Sequence, residues 1–195
     1  MAISYPLDTP TSIGIESIEL RAVNAVATSQ SPFTYKQQII SHGGQKWEAS
    51  ISIPPVHRDK AAPWKAMLVA LKGQVGTFLL GDPDYATPQG TVSSCVITGN
   101  AGDDTVEVVM TGTLIAGDYI QLGSGSSSRL HQVLLDQSGS GDLEIWPALR
   151  ANYTSSVAIF NSPKGVFRLS GNVTSWSINN SSTYGISFEA VESIL

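Results

Sequence analysis

Short apolar runs separated by turn residues extend through the whole chain and predict an all-β protein. The 195 residues include 18 glycines and 10 prolines, and the runs between them are rich in β-branched residues. The clearest run is 47–53, in which every second residue is apolar. Side chains of a strand alternate between its two faces. Four residues are therefore predicted to share the buried face of one strand: Trp47, Ala49, Ile51 and Ile53.

Turn and proline residues on both sides of this run predict its limits. The Gly-Gly pair at 43–44 suits the positive φ angles of a two-residue turn, so a hairpin is predicted between 35–42 and 45–53. The Pro-Pro pair at 54–55 removes backbone donors and predicts the end of the strand. A further alternating run at 12–23 slips by one residue near its middle, which indicates a β-bulge.

One amphipathic helix is predicted after these prolines. Asp59 is a suitable N-cap, Pro63 fits an early helical turn, and Gly73 is a suitable stop. The apolar residues recur at the spacing of a single helix face: Trp64, Met67, Leu68 and Leu71. Because this stripe is narrow, we expect the helix to pack one side against a sheet.

Two turn-rich segments, 81–90 and 161–165, divide the chain into three parts. The part between them contains several short strand candidates, which suit a small closed barrel or sandwich. The part after them contains too few strands to fold alone. We therefore expect the C-terminal strands to pair with the N-terminal ones. The predicted domains are 1–88 plus 164–195, and an inserted domain at 89–163.

The strand candidates are placed by their apolar and β-branched residues. In the inserted part they are 92–97, 105–110, 119–122, 130–135, 143–145 and 157–160. In the C-terminal part they are 166–169, 173–179 and 184–191. The predicted core of the inserted domain contains Val96, Val108, Ile120, Leu122, Val133, Leu143, Ile145 and Ile159.

A low charge density changes the expected surface. Charged residues are 14% of the chain, against about 25% in a typical soluble domain. The net charge of −5 argues against a surface for nucleic acid or an anionic membrane, which needs clustered Lys and Arg. A surface with few charges loses little hydration when it is covered, which favours an assembly subunit.

Cysteine content and hydropathy exclude several further classes. Cys95 is the single cysteine and lies in an apolar run, so a buried free thiol is predicted and a disulfide scaffold or cysteine-based zinc site is excluded. Residues 1–6 have neither the basic region nor the apolar core of a signal peptide. No stretch has the roughly 18 apolar residues of a membrane helix. We expect a protein that is made and kept in soluble form.

The residue types that catalyse reactions or bind metal ions in enzymes do not occur here at the spacings that those functions need. His42, His57 and His131 have no metal-binding spacing, so they are expected to be unrelated surface or half-buried imidazoles. The glycine-serine segment 123–127 matches neither a hydrolase elbow nor a phosphate loop. The aspartates fall in turns, where this residue is common. We therefore expect no enzyme activity, no catalytic residue, no cofactor and no metal ion.

Two sets of residues are candidates for contact with other molecules. The segment 24–32 is nearly uncharged and lacks firm periodicity, so it is either a connecting loop or an arm that extends against a neighbouring sheet. The candidate subunit contacts within it are Ala25, Val26, Ala27, Thr28, Ser29 and Gln30. The candidate exposed aromatic contacts, at strand ends or in loops, are Tyr85, Trp146 and Tyr153.

Several phrases of the sequence resemble tail proteins of long-tailed bacteriophages. They are SPFTYKQQ at 31–38, WEASISIPP at 47–55, GTFLLGDP at 76–83, AGDYIQLG at 116–123, IWPALR at 145–150, and WSIN at 176–179 before Tyr184 and Gly185. The resemblance covers most of the chain. The size and plan of the chain are similar to those of the distal tail protein family. In that family a tail-tube-like β domain with a flanking helix forms a hexameric ring.

This resemblance implies a fold and a function. The implied fold is mainly β, a discontinuous tail-tube-like β-sandwich domain with one flanking α-helix and an inserted small OB-like β-barrel domain. The implied function is that of a virion structural protein, a ring at the distal end of the tail that joins the tail tube to the baseplate hub. An alternative is a carbohydrate- or receptor-binding tail module that uses the inserted β domain.

Partners and location follow from the first of these functions. The expected partners are other copies of the chain, in a hexamer, together with the tail tube protein and the baseplate hub proteins. No membrane and no sequence-specific nucleic acid is expected, although DNA is expected to pass through the ring, which an acidic lumen would suit. The expected location is the tail of the virion, after assembly in the host cytoplasm.

Overall fold

The computed structural model describes residues 3–194, so residues 1, 2 and 195 of the first expected domain lie outside the described part. Strands make up 49% of the chain and helices 8%, which confirms a mainly β fold with one α-helix. The elements are β1 (Ser17–Gln30), β2 (Gln37–His57), α1 (Arg58–Ala70), β3 (Phe78–Leu80), β4 (Ser94–Gly99), β5 (Thr105–Thr111), β6 (Thr113–Leu114), β7 (Tyr119–Leu122), a 3-10 turn (Gly125–Ser127), β8 (Arg129–Val133), β9 (Gln137–Ser138), β10 (Gly141–Trp146), β11 (Tyr153–Val157), β12 (Gly165–Leu169), β13 (Trp176–Ile178) and β14 (Thr183–Glu192).

The first sheet combines strands from both ends of the chain. Its order is β1-β2-β14-β12-β3, with β13 paired to β14 beside this path. All of these strand pairs are antiparallel. The C-terminal strands therefore pair with the N-terminal strands, as the sequence predicted.

One face of the first sheet is covered by α1. The alternation on β2 is confirmed, because Trp47, Ala49, Ile51 and Ile53 are all buried. Trp64 on α1 is also buried and lies in the same apolar cluster. Burial of a side chain of this size contributes on the order of 3 kcal/mol. The helix is thus held by its apolar stripe, as predicted.

The start of α1 differs from the prediction. The N-cap residue is His57, and Asp59 lies within the first turn instead of capping it. A carboxylate there still stabilises the positive end of the helix dipole. At the other end the C-cap is Leu71, and Lys72 follows it in the left-handed conformation with a φ of +52°. The predicted stop, Gly73, lies one residue later with a φ of +68°.

The long hairpin of β1 and β2 overturns the predicted turn at 43–44. The chain reverses at 31–36 instead, and β2 runs through the Gly-Gly pair as a bulge opposite Ala25. Gly43 has a φ of +71°, so the pair supplies the positive φ angle to a bulge and not to a turn. The prolines at 54–55 do not end β2 either, because it pairs with β14 as far as His57.

The second sheet contains the inserted strands, in the order β11-β4-β5-β10-β8-β7. It curls until Ile159, just after β11, meets Gln121 of β7, and the two residues exchange backbone hydrogen bonds of 2.7 and 2.9 Å. Cys95 is buried in the interior as a free thiol, as predicted, and burial raises its pKa to about 11. We call this unit the barrel.

Two members of the predicted barrel core point outward. Val96 is half-buried and Ile159 is exposed, whereas Cys95 and Ile97, the neighbours of Val96, are buried. Side chains alternate between the two faces of a strand, so a prediction that is shifted by one residue assigns the outward-facing residues to the core. This explains the error at Val96 and Ile159. The other predicted members lie in the core: Val108, Ile120, Leu122, Val133, Leu143 and Ile145.

Candidate subunit interface

The far half of the β1–β2 hairpin projects from the molecule. We call residues 24–44 the arm. Val26–Gln30 pair with Gln37–Ser41, and 31–36 form the tip. Every residue of the arm except Ser31 is exposed. The structure places the candidate contacts Ala25, Val26, Ala27, Thr28, Ser29 and Gln30 on one strand of this arm and not in a loop.

Both edges of the arm are unpaired in the described chain. β1 is the edge strand of the first sheet, and β14 pairs with β2 only from Glu48 onward. The arm is therefore a two-stranded ribbon, and such a ribbon is marginally stable by itself in water. Its free backbone donors and acceptors can pair with a strand of another chain.

The arm also carries apolar side chains that nothing in the described chain covers. Phe33 is 90% exposed, Tyr35 is 73% exposed and Ile39 is 63% exposed. Of the charged residue types Asp, Glu, Lys and Arg, the arm contains only Lys36. A nearly uncharged ribbon with exposed aromatic residues at its tip is typical of an interaction surface.

Local hydrogen bonds shape the tip. The amide of Ser31 donates to the carbonyl of Lys36 at 3.0 Å, and the amide of Tyr35 donates to the carbonyl of Ser31 at 2.9 Å. Tyr35 has a φ of +54°, which is uncommon for a bulky residue. The tip therefore holds Phe33 and Tyr35 in a folded turn.

The end of β10 and the residues that follow it hold the base of the arm. The indole N–H of Trp146 donates to Asn24 Oδ1 at 2.9 Å. The amide of Ala148 donates to Gln45 Oε1 at 2.7 Å. The ring of Trp146 also packs edge-on against Trp47, with 4.5 Å between the ring centroids. The barrel thus fixes both strands of the arm where they leave the sheet.

A buried ion pair joins the barrel to the first sheet at the same place. Arg150 Nη2 donates to Glu192 Oε2 at 3.0 Å, and the amide of Trp47 donates to the same oxygen at 3.1 Å. Arg150 also donates to the carbonyl of Gln45. The side chains of Arg150 and Glu192 are only 17% and 3% exposed. This pair therefore anchors the arm base in a region with little access to water.

The segments between the barrel and the first sheet are fixed by hydrogen bonds. Asp118 is fully buried, and its carboxylate accepts from the Tyr85 hydroxyl at 3.0 Å and from the Gln89 amide at 2.8 Å. Gln121 Oε1 accepts from the Lys164 amide at 2.8 Å. The barrel is therefore hydrogen-bonded to both of the segments that connect it to the first sheet.

The three candidate exposed aromatic residues are half-buried, so that expectation is wrong in this respect. Tyr85 donates to Asp118, and Trp146 donates to Asn24 and packs on Trp47. Tyr153 packs against the barrel core. The structure does not bring the three side chains together as an exposed platform. The exposed aromatic residues of the arm, Phe33 and Tyr35, were not among the candidates.

A cleft of about 420 Å³ lies beside β13. The cleft is lined by Ile53 and Pro55 on β2, Trp176 on β13, Ile186 on β14, four serines, a glycine and Glu16. Ile53 and Ile186 are buried on the side of the sheet that faces α1, so their side chains do not form its exposed walls. β13 has one unpaired edge in the described chain, because it pairs only with β14. We call this site the β13 cleft.

His131 on β8 is fully buried, which corrects the expectation of a surface or half-buried imidazole. Its Nδ1 lies 2.6 Å from the carbonyl oxygen of Pro147. Since a carbonyl can only accept, Nδ1 carries the proton. Nε2 has no hydrogen-bond partner in the described chain. Burial lowers the pKa of this imidazole to about 4, because the charged form would lose its hydration.

We expect the protein to lose stability through His131 as the pH falls from about 6.5 towards 4. The unfolded imidazole binds a proton near pH 6.5, whereas the folded one binds it only near pH 4. Protons in this window therefore favour the unfolded chain. Between pH 7 and pH 4.5, urea unfolding should show that the wild type loses about 2 kcal/mol more than His131→Asn. The exposed control His42→Asn should follow the wild type. An unchanged pH dependence in His131→Asn would contradict this result.

A search against models of known protein families found no match. A search of curated proteins also found none. Within residues 3–194, no helix is long and apolar enough to cross a membrane. The same residues contain no cluster of three or more His, Cys, Asp or Glu side chains that is arranged to hold a metal ion.

Proposed function

We propose that this chain is a virion structural protein that joins to copies of itself through the arm. The resulting ring lies at the distal end of a phage tail and joins the tail tube to the baseplate hub. The single observation that carries self-assembly is the arm itself, an exposed, nearly uncharged ribbon with two unpaired edges. Such a ribbon gains stability when a second chain covers it.

Burial of the exposed arm side chains supplies the driving force for assembly. Apolar surface contributes about 25 cal/mol for each Å² that is removed from water. Aromatic side chains at the centre of an interface contribute most of the binding energy in many complexes. Phe33 and Tyr35 at the tip are the strongest contributors on this surface, and Ile39 extends the apolar area along the ribbon.

The uncovered face of the first sheet supports a channel. This face lies opposite α1, and one row across β1, β2 and β14 contains Glu19, Ser50 and Glu189. Arg21 and Lys46 lie on the same face beside Glu48, so the charges of this face largely cancel. A channel wall without a strong positive potential binds DNA weakly, which lets DNA pass without adhering.

The sequence resemblance to distal tail proteins supports the place of the ring in the tail. The mainly β fold with one helix on a sheet agrees with that family's plan. The alternative function, a carbohydrate- or receptor-binding module in the barrel, has less support. The aromatic residues that motivated it are half-buried and bonded inside the chain.

Sedimentation velocity of the purified chain over a range of concentrations tests self-assembly. We expect a monomer of 20.6 kDa at low concentration and one defined oligomer at high concentration. A chain that stays monomeric at every concentration would contradict the proposal. Gold-labelled antibody on intact tails tests the location, and we expect label at the distal end. Label along the shaft, or tails without label, would contradict the place in the tail.

A further inference from the structure

We propose that the arm of one copy occupies the β13 cleft of the next copy, so that the subunits join head to tail. This inference rests on the proposed self-assembly and names the surface that receives the arm. Two features carry it, namely the positions of the two surfaces on one sheet and their matching chemistry.

The two surfaces lie at opposite ends of the same strand. The arm leaves the first sheet at Gln45 of β2. β13 lies level with Val56 of β2, since Ile178 pairs with Tyr184 and Tyr184 pairs with Val56. Eleven residues of strand separate these levels, about 36 Å at 3.3 Å per residue. A donor and an acceptor at opposite ends of one molecule form a heterologous contact, which repeats from copy to copy and can close a ring.

The charges of the two surfaces are complementary. Lys36 is the only Asp, Glu, Lys or Arg residue of the arm, and Glu16 is the only one that lines the β13 cleft. No charged residue occurs between Arg168 and Glu189, the stretch that contains β13. Contact between the arm and the cleft therefore buries few charges, and it offers the carboxylate of Glu16 to Lys36.

The apolar parts also match. Ile178 on β13 is 59% exposed and Trp176 is 37% exposed, and both lie beside the cleft on the face of β13 that is turned towards Lys65 of α1. A volume of about 420 Å³ accommodates the side chain of Phe33 or Tyr35 from the tip of an arm. The free edge of β13 can also accept backbone hydrogen bonds from an edge of the arm.

The cleft is held in shape before it binds anything. Lys65 on α1 lies over the ring of Tyr184, with its Nζ 4.2 Å from the ring centroid, and 5.4 Å from the centroid of Trp176. These cation–π contacts tie the β13–β14 hairpin to the helix. A preformed acceptor loses little conformational freedom on binding, which favours the arm as a ligand.

A mixing experiment tests the head-to-tail contact. The arm variant is Phe33→Lys with Ile39→Lys, and the cleft variant is Ile178→Lys with Ser187→Lys. All four positions are exposed, so both variants should fold, and circular dichroism checks this. Each variant alone should stay monomeric where the wild type assembles. A 1:1 mixture has one intact arm and one intact cleft, so it should form a dimer of twice 20.6 kDa and nothing larger.

Three results would overturn the proposed contact. The first is a cleft variant that assembles as the wild type does, and the second is a mixture that stays monomeric. The third is a cleft variant that forms dimers by itself, which arm-to-arm pairing predicts. All three are distinct from failure of self-assembly itself, in which the wild type is monomeric.

Disulfide trapping gives a second measurement that does not depend on lysine substitutions. Phe33→Cys and Ile178→Cys are mixed under mild oxidation. Native Cys95 is buried, and burial raises its pKa to about 11, so it does not compete. We expect a cross-linked dimer from this pair and none when Phe33→Cys is mixed with Val109→Cys, an exposed barrel position. Equal cross-linking of both pairs, or cross-linking of neither, would contradict the proposed contact.

Discussion

The variant Phe33→Lys with Ile39→Lys should lose self-assembly while its fold remains intact. Both side chains are exposed in the single chain, so lysine costs little there. In the proposed assembly the same positions are covered, and an unpaired charge that is buried at an interface costs several kcal/mol. We expect at least a hundredfold weaker association in sedimentation velocity, with an unchanged circular dichroism spectrum.

The matched control places lysines on the outer face of the barrel. Val109 and Val157 are 60% and 72% exposed, similar to Ile39, and both lie on barrel strands. The variant Val109→Lys with Val157→Lys should assemble like the wild type. An arm variant that still assembles would show that the arm is not the contact. Equal loss of association in both variants would indicate that the barrel face or the total charge of the chain decides assembly.

Arg150→Ala should destabilise the folded chain by about 3–5 kcal/mol. The substitution leaves Glu192 with a buried charge whose ionic partner is gone, although the amide of Trp47 still donates to it. It also removes the bond from Arg150 to the carbonyl of Gln45 at the arm base. Urea unfolding measures the change in the free energy of unfolding, and weaker association should accompany it because the arm base is loosened.

The other ion pair of the described chain provides the control. Lys46 and Glu48 lie 2.8 Å apart, but their side chains are much more exposed than those of Arg150 and Glu192. The hydrogen bond from Lys46 lowers the pKa of Glu48. Lys46→Ala should cost less than about 1 kcal/mol, since exposed ion pairs contribute little. Equal losses in Arg150→Ala and Lys46→Ala would contradict a special role for the buried pair.

The parts of the fold that the sequence predicted are those with a regular period. Alternation on β2 identified Trp47, Ala49, Ile51 and Ile53 as one buried face, and the helical spacing identified Trp64 and its stripe. These patterns depend only on neighbours along the chain, so no knowledge of strand pairing was needed.

The errors arise where pairing between distant residues decides the local structure. The Gly-Gly pair at 43–44 satisfies the rule for a two-residue turn as well as for a bulge. Pairing of Val26–Gln30 with Gln37–Ser41 moves the reversal to 31–36. In the barrel, Val96 and its neighbours are all apolar, so the sequence does not show which face is buried.

The candidate interface was only partly visible in the sequence. Low charge predicts contacts at 25–30, which lie on the arm, but it does not point to Phe33, Tyr35 and Ile39. Their signal was an apolar set beside this uncharged stretch. The pair of Arg150 and Glu192 had no local signal, because its members are distant in the chain and meet only through the fold.

Cryo-electron microscopy of the assembled wild-type chain tests the central claim most directly. We expect closed rings, six-fold symmetric in keeping with the sequence resemblance, in which each arm crosses to the neighbouring subunit and lies against its β13. The tip residues Phe33 and Tyr35 should be buried between the two subunits. Monomers at every concentration, or two-fold dimers whose arms pair with each other, would contradict the claim.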